Sequence, residues 1–236
     1  MSTPRPPGPP DPKRHWEDVY GAKKPTEVSW YQPHARRSLS LIQRVAPDRS
    51  SPIIDVGGGA STLVDDLLAA GYRDVTVLDL SGAALAAARA RLGPDAERVR
   101  WLDVDLLGFE FPEAAYAVWH DRAVFHFLTD PGARARYVAQ VRRAVRPGGF
   151  VLVATFATDG PERCSGLEVE RYSPESLHAE FGTPFQLTAS EREEHATPQG
   201  AKQTFIYCLC RVKSTGRSHG RSPGGSSGRS GAVLIP

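Results

Sequence analysis

At 236 residues and 40% hydrophobic content, the chain is long enough to bury one substantial core, so a single domain with loose ends is the economical expectation. Its net charge is +2, but Lys213, Arg217, Arg221 and Arg229 follow residue 212 with no acid among them. That leaves residues 1–212 near −2, with no basic surplus for holding a nucleic-acid backbone. No stretch approaches the ~18 apolar residues of a membrane span. The Pro-rich first ten residues lack the apolar segment of a secretion signal, so a soluble, cytoplasmic protein is expected. The three cysteines, Cys164, Cys208 and Cys210, cannot all pair and show no Cys-x-x-Cys spacing, which points to reduced, buried thiols and no metal site.

In chain order, residues 1–12 are mostly Pro and Gly and residues 213–236 mostly Gly, Ser and Arg. Neither segment buries enough apolar surface to offset its ordering entropy, so both are expected to be disordered flanks of a domain over 13–212. Residues 13–47 form a dense aromatic segment, with Trp16 and Tyr20 in His15-Trp16-Glu17-Asp18-Val19-Tyr20 and then Trp30 and Tyr31. Beyond it, strands are predicted at 52–57, 74–79, 98–104, 115–120, 149–156, 184–192 and 202–211. Helices are predicted near 34–46, 61–70, 81–91, 131–145 and 173–181. Ser61, Ser81 and Ser173 are placed as N-caps, and Gly71 as the residue that stops a helix. Pro147-Gly148-Gly149 reads as a turn into a buried central strand. The alternation predicts an α/β, Rossmann-like, doubly wound sheet of seven strands, mostly parallel, with helices on both faces. The last two strands lack a crossover helix and should pair antiparallel.

The apolar run Ile53-Ile54-Asp55-Val56 leads into Gly57-Gly58-Gly59, and Val75-Thr76-Val77-Leu78-Asp79 follows after one helix. Such a βαβ turn lets a ligand approach the backbone. Thr62 stands where a dinucleotide fingerprint has its third glycine, and Asp55 beside the loop repels phosphate while attracting an ammonium. A cationic, phosphate-free cofactor fits better than a pyrophosphate.

Asp55-Val56-Gly57-Gly58-Gly59 resembles the first motif of the class I S-adenosylmethionine-dependent methyltransferases. The resemblance implies that Gly57 and Gly59 admit the methionine part of S-adenosylmethionine and that Asp79, with Leu80 after it, takes the ribose hydroxyls. It also implies that Asp105 and Leu106 receive the adenine ring. Trp119-His120-Asp121-Arg122 resembles the fourth motif of the thiopurine methyltransferase-like branch, which would place Asp121 and Arg122 near donor and acceptor, with Asp121 orienting or deprotonating the attacking group. An Asp121–Arg122 ion pair pinning the loop accounts equally for these two residues. Trp16, Tyr20, Trp30 and Tyr31 fit a lid whose ring faces attract a sulfonium, or an N-terminal helix packed on the sheet. His120 and His126 fit packing or hydrogen bonding better than base catalysis.

The implied reaction is methyl transfer to an N, O or S nucleophile of a small molecule or protein side chain. Two other functions draw on the same residues. A nicotinamide-dependent oxidoreductase would use the glycines and Asp79, though Thr62 and the lack of a Tyr-x-x-x-Lys pair weigh against it. A non-catalytic cofactor-binding module would use the Gly-Arg tail to touch nucleic acid.

Overall fold

The computed structural model describes residues 11–214. The expected disorder of residues 1–10 and 215–236 lies outside them. Asp11 and Pro12, assigned to the N-terminal flank on composition, instead begin helix α1 (Pro12–Ala22), where the Asp11 carboxylate accepts the Lys13 N–H at 3.0 Å and proline occupies the first turn. At the other end, the Lys213 N–H still donates to Pro184 O.

Next come α2 (Arg36–Val45), β1 (Ile53–Val56), α3 (Leu63–Ala69), β2 (Val75–Asp79), α4 (Gly82–Leu92), β3 (Val99–Asp103) and β4 (Tyr116–Arg122). The chain continues through α5 (Pro131–Ala144), β5 (Val145–Phe156), the short pair β6 (Arg163–Cys164) and β7 (Leu167–Glu168), α6 (Pro174–Phe181), β8 (Phe185–Ala196) and β9 (Lys202–Val212). Seven of these strands form one sheet in the order β3-β2-β1-β4-β5-β9-β8. The first five are parallel, and β9 runs antiparallel to both β5 and β8. The chain reverses direction across the sheet between β1 and β4, and in open α/β sheets ligands bind outside the carboxyl ends at such a switch point.

The two faces follow from strand alternation. Ile53 packs with Leu41 and Ile42 of α2 and Leu63 and Leu67 of α3, whereas Ile54 and Val56 pack with Tyr137 and Val141 of α5 and Leu177 and Phe181 of α6. Each buried Leu or Ile of these layers contributes about 1.5–3 kcal/mol of burial free energy. Cys208 and Cys210 share the second face, and all three thiols are free and buried.

The helix caps fall at or one residue from their expected positions. Ser81 caps α4, accepting the Ala84 N–H at 3.2 Å, and Ser173 caps α6, accepting the Ser176 N–H at 3.2 Å. At α3 the cap position is Thr62, one residue later than expected, and Ser61 Oγ accepts the Leu63 N–H. Gly71 (φ +89°) ends α3 with its N–H on Leu68 O, and the Tyr72 N–H reaches back to Leu67 O, a Schellman closure. Pro147-Gly148-Gly149 is not a turn ahead of a strand: it lies within β5 as a bulge between the Tyr116–Val145 and Val118–Phe150 pairs. The β6–β7 hairpin was not anticipated. Its two loop residues, Ser165 and Gly166, both have positive φ, as a two-residue hairpin turn requires. Among the described residues, no helix is long and apolar enough to cross a membrane.

Candidate donor site at the carboxyl edge of the sheet

The glycine loop is built by close approach. Gly57 has φ +65°, and a Cβ there would fall 1.9 Å from Val124 Cγ2 in the loop after β4. A Cβ at Gly58 would meet Asp55 Oδ2 at 2.6 Å, and one at Gly59 would meet Asp79 Oδ2 at 2.6 Å and Ala84 Cβ at 3.2 Å. The loop therefore packs two strand-end carboxylates and the start of α4 against bare backbone. Arg91 of α4 holds it from outside, donating to Ala60 O at 2.9 Å and Ser61 O and pairing with Asp65 at 2.7 Å.

A cavity opens along this edge, enclosing about 1180 Å³ with its open mouth included. Gly57, Asp79, Leu80, Asp105 and Leu106 line its floor and far wall, and Trp16, Tyr20 and Trp30 form its cover. All eight are among the candidate residues of the sequence. Gly59 lines neither this cavity nor the smaller one described below, and makes room for Asp79 and α4 instead. Asp79 Oδ1 accepts the Ser81 N–H at 2.8 Å, while burial pushes its carboxyl up to about 7 against that bond. Asp105 Oδ1 accepts the Leu107 N–H at 2.9 Å.

The cover is an edge-to-face aromatic cluster. Trp16 lies 5.7 Å from Trp30 and 5.1 Å from Phe127, and Tyr20 lies 6.2 Å from Trp30. Polar bonds that the sequence reading did not single out hold it down. Glu17 of α1 accepts from Gly82 N at 2.8 Å and Ala83 N at 3.3 Å, a carboxylate at the positive end of α4. Lys13 spans Leu80 O at 3.2 Å and Asp103 Oδ1 at 2.7 Å, which gives Asp103 a role outside the cavity. The segment is an N-terminal helix packed over this edge of the sheet, with Trp16, Tyr20 and Trp30 in the cavity wall.

Asp121 corrects the expectation of a residue near donor and acceptor. It is fully buried on the α5 face, one position out of phase with His120, and lines neither cavity. Its carboxylate accepts from Val124 N at 2.9 Å, Phe125 N at 3.1 Å and Tyr137 Oη at 2.6 Å, and Tyr137 Oη in turn accepts from Trp119 Nε1 at 2.9 Å. Burial pushes it up to about 6 against these bonds. It pins the loop through backbone amides rather than through Arg122. Arg122 does line both cavities. It donates to Tyr207 Oη at 3.0 Å and Trp30 O at 3.1 Å, pairs with Glu193 at 4.0 Å and stacks over Phe205 at 4.2 Å.

A smaller cavity, about 540 Å³ with its open mouth included, shares Gly57 and is lined by Asp55, Gly58, His120, Ser38, Thr62 and Arg122 among others. Thr62 Oγ1 donates to Gln32 O at 2.9 Å, so a hydroxyl tied to the N-terminal segment fills the place of a dinucleotide fingerprint's third glycine. His126 is fully buried without a partner on either ring nitrogen, and burial pushes it down to about 3, so it packs as a neutral ring. The β6–β7 hairpin adds Cys164 and Leu167 to the large cavity, a contribution that only the Ser165-Gly166 turn dipeptide hinted at.

Comparison with known proteins agrees with this geometry. Residues 53–149 match a family model described as "Methyltransferase domain". The eEF1A lysine and N-terminal methyltransferase of Mus musculus is 26% identical over 149 residues, covering 61% of this chain, which spans only 21% of that relative's length. The N-terminal Xaa-Pro-Lys N-methyltransferase 1 of Rattus norvegicus is 28% identical over 186 residues, covering 74% of this chain and 80% of the relative. Among solved structures, the 1,6-didemethyltoxoflavin-N1-methyltransferase of Burkholderia thailandensis, determined with bound 1,6-didemethyltoxoflavin and S-adenosylhomocysteine, superposes with a TM-score of 0.60 at 22% identity. That superposition covers 86% of this chain and 84% of the other. The stretch from β1 into β5 is thus similar to methyltransferase domains, and the relatives and the solved structure named above are methyltransferases.

The residues present fit S-adenosylmethionine as the donor. Asp79 offers two carboxylate oxygens at the end of β2, Gly57 and Gly58 expose backbone, the Asp55 Oδ2 is buried without a partner, and three aromatic rings, a residue type whose faces attract cations, line the cavity. Among the described residues, no group of three or more His, Cys, Asp or Glu side chains is placed to hold a metal ion.

Proposed function

We propose that this domain transfers the methyl group of S-adenosylmethionine to an N, O or S nucleophile of a small molecule or protein side chain, with Asp79 holding the donor's ribose and the Asp105–Leu106 turn its adenine. The observation that carries the assignment is the buried Asp79 carboxylate beside the bare Gly57–Gly59 backbone, under the Trp16–Tyr20–Trp30 cover. The donor supplies an electrophilic methyl on a sulfonium. The protein's part is to hold the reacting atoms in line and exclude water, which the aromatic cover does by replacing solvent with ring faces.

Apart from Asp79, assigned above to the ribose, the cavity's buried side chains with shifted titration offer no base near neutral pH. Burial pushes the Cys164 thiol up to about 11 and raises Tyr20 further, and Asp121 faces away. The acceptor is therefore one that arrives nucleophilic or yields its proton to water. The relatives differ in what their names say they act on: lysine and protein N-termini in one case, a toxoflavin precursor in another. Within the family, the Trp119-x-Asp121-Arg122 segment supports a place near the thiopurine methyltransferase-like branch. Arg122 is the one residue of that segment that lines the large cavity, at its covered end.

Asp79 gives the test. An acid raised to about 7 from 3.8 binds a proton in the apo protein across that window, and its stabilising effect is lost as pH rises through about 7. Ribose hydroxyls need acceptor oxygens, so donor binding expels the proton. Affinity for S-adenosylhomocysteine should strengthen up to ~10-fold per pH unit as pH rises toward about 7, then level off. Asp79→Asn should weaken binding by ~1–3 kcal/mol and flatten that slope. Titration calorimetry at several pH values reads both, and an unchanged dissociation constant would remove Asp79 from the ribose site.

A further inference from the structure

The carboxylates that line the large cavity lie at one end of it. Asp79 closes β2 and Asp105 follows β3, whereas the lining contributed from β4 onward contains no acid among the described residues. In the sheet order β3-β2-β1-β4-β5, Asp79 and Arg122 end strands two places apart, roughly 10 Å at the usual strand spacing. The half beyond β1 is lined by Phe127 and Leu128 of the loop after β4, Cys164 and Leu167 of the β6–β7 hairpin and Trp30 of the cover, with Arg122 as its one charged side chain among the described residues.

Arg122 is engaged from outside the lining. Besides Trp30 O, it donates to Tyr207 Oη at 3.0 Å and pairs with Glu193 at 4.0 Å, and Tyr207 Oη donates in turn to Glu193 at 2.7 Å. Neither Tyr207 nor Glu193 lines the cavity. A cationic acceptor would therefore meet a guanidinium and the donor's sulfonium with no acid on its own side. A peptide would bury backbone N–H and C=O groups against Phe127, Leu128 and Leu167, which offer them no side-chain partner. Trp30 is a fixed wall: Ser29 O accepts from His195 Nε2 at 2.7 Å, Trp30 O from Arg122 at 3.1 Å and Gln32 O from Thr62 Oγ1 at 2.9 Å. A rigid indole beside hydrocarbon side chains and a protonated thiol suits a flat, apolar body.

We propose that the half of the large cavity between Arg122 and the β6–β7 hairpin is the acceptor site, and that it takes a neutral aromatic small molecule bearing its own nucleophilic N, O or S, with Leu167 a specificity-determining residue. The proposal rests on the assignment of S-adenosylmethionine to the Gly57–Asp79–Asp105 half. With an aromatic thiol the proton goes to water, a sulfur lone pair forms the new S–CH₃ bond, and the donor's methyl–sulfonium bond breaks with its electron pair staying on the sulfur of S-adenosylhomocysteine.

The test uses two thiols, 2-naphthalenethiol on a flat apolar body and cysteamine on an ammonium arm, together with a short lysine peptide. In calorimetric titrations of the full chain saturated with S-adenosylhomocysteine, 2-naphthalenethiol should bind at least about tenfold more tightly than either of the others. With S-adenosylmethionine, kcat/KM should follow the same order. Leu167 is half-buried at the start of β7, so Leu167→Glu changes the lining without opening the core. It should weaken 2-naphthalenethiol at least about tenfold and leave S-adenosylhomocysteine within about twofold, and Leu167→Phe should retain both affinities. Tighter binding of cysteamine or the lysine peptide, binding of none of the three, or a Leu167→Glu chain that holds 2-naphthalenethiol as well as wild type would overturn the proposal while leaving the donor assignment standing. A folded wild-type chain that does not bind S-adenosylhomocysteine would sink the donor assignment and the acceptor site with it.

Discussion

Gly57→Ala is expected to destabilise the fold by about 2–5 kcal/mol and to abolish donor binding. Two costs combine. A non-glycine residue at φ +65° pays ~1–2 kcal/mol for left-handed backbone, and a Cβ 1.9 Å from Val124 Cγ2 forces an overpacking shift of ~1–3 kcal/mol. The second term is the functional one, because Val124 belongs to the loop that Asp121 pins, and Gly57 is shared by both cavities. Gly71→Ala separates the terms. Its φ is +89°, yet the nearest heavy atom to a Cβ there is Arg49 Cγ at 4.0 Å, so it should lose only the backbone cost of ~1–2 kcal/mol and keep donor affinity. Denaturant midpoints and S-adenosylhomocysteine titrations on both variants check this, and equal losses in the two would remove the close-packing explanation.

Asp121→Ala is expected to cost about 3–5 kcal/mol of stability, because it strands the Val124 and Phe125 amides and the Tyr137 hydroxyl in a dry interior. Asp121→Asn, which keeps one acceptor oxygen, should cost ~1–2 kcal/mol. At a temperature where that variant is folded, its kcat should stay within about threefold of wild type, since the carboxylate lies outside both cavities. A general base would behave in the opposite way, losing ~100-fold or more in kcat with an unchanged melting temperature. Thermal melts and kcat measured on the same preparation separate the two roles.

Asp79 and the glycine loop were legible in the sequence because their constraints are local: a strand end, a bare turn and one helix of spacing. The seven-stranded sheet was legible for the same reason, since β-branched runs and helix caps punctuate the chain at each turn. Asp121 was not, because motif resemblance places a residue along the chain, while strand phase decides which face its side chain takes. His120 and Asp121 are neighbours, yet one faces α2 and the other α5. The buried chain in which His120 Nε2 lies 2.8 Å from Ser38 Oγ and His120 Nδ1 lies 2.6 Å from Asp55 Oδ1 was invisible because it joins three elements across 82 positions, and only the parallel register of β1 and β4 brings it together. Glu17 and Lys13 likewise read as ordinary surface charges until α1 is seen docked on the start of α4.

Titration calorimetry with S-adenosylhomocysteine on folded chain tests the central claim most directly. One molecule bound per chain, with affinity strengthening as pH rises toward about 7 and weakened by Asp79→Asn, is the predicted result. A folded protein that gives no binding heat and no thermal shift with either S-adenosylmethionine or S-adenosylhomocysteine would contradict it.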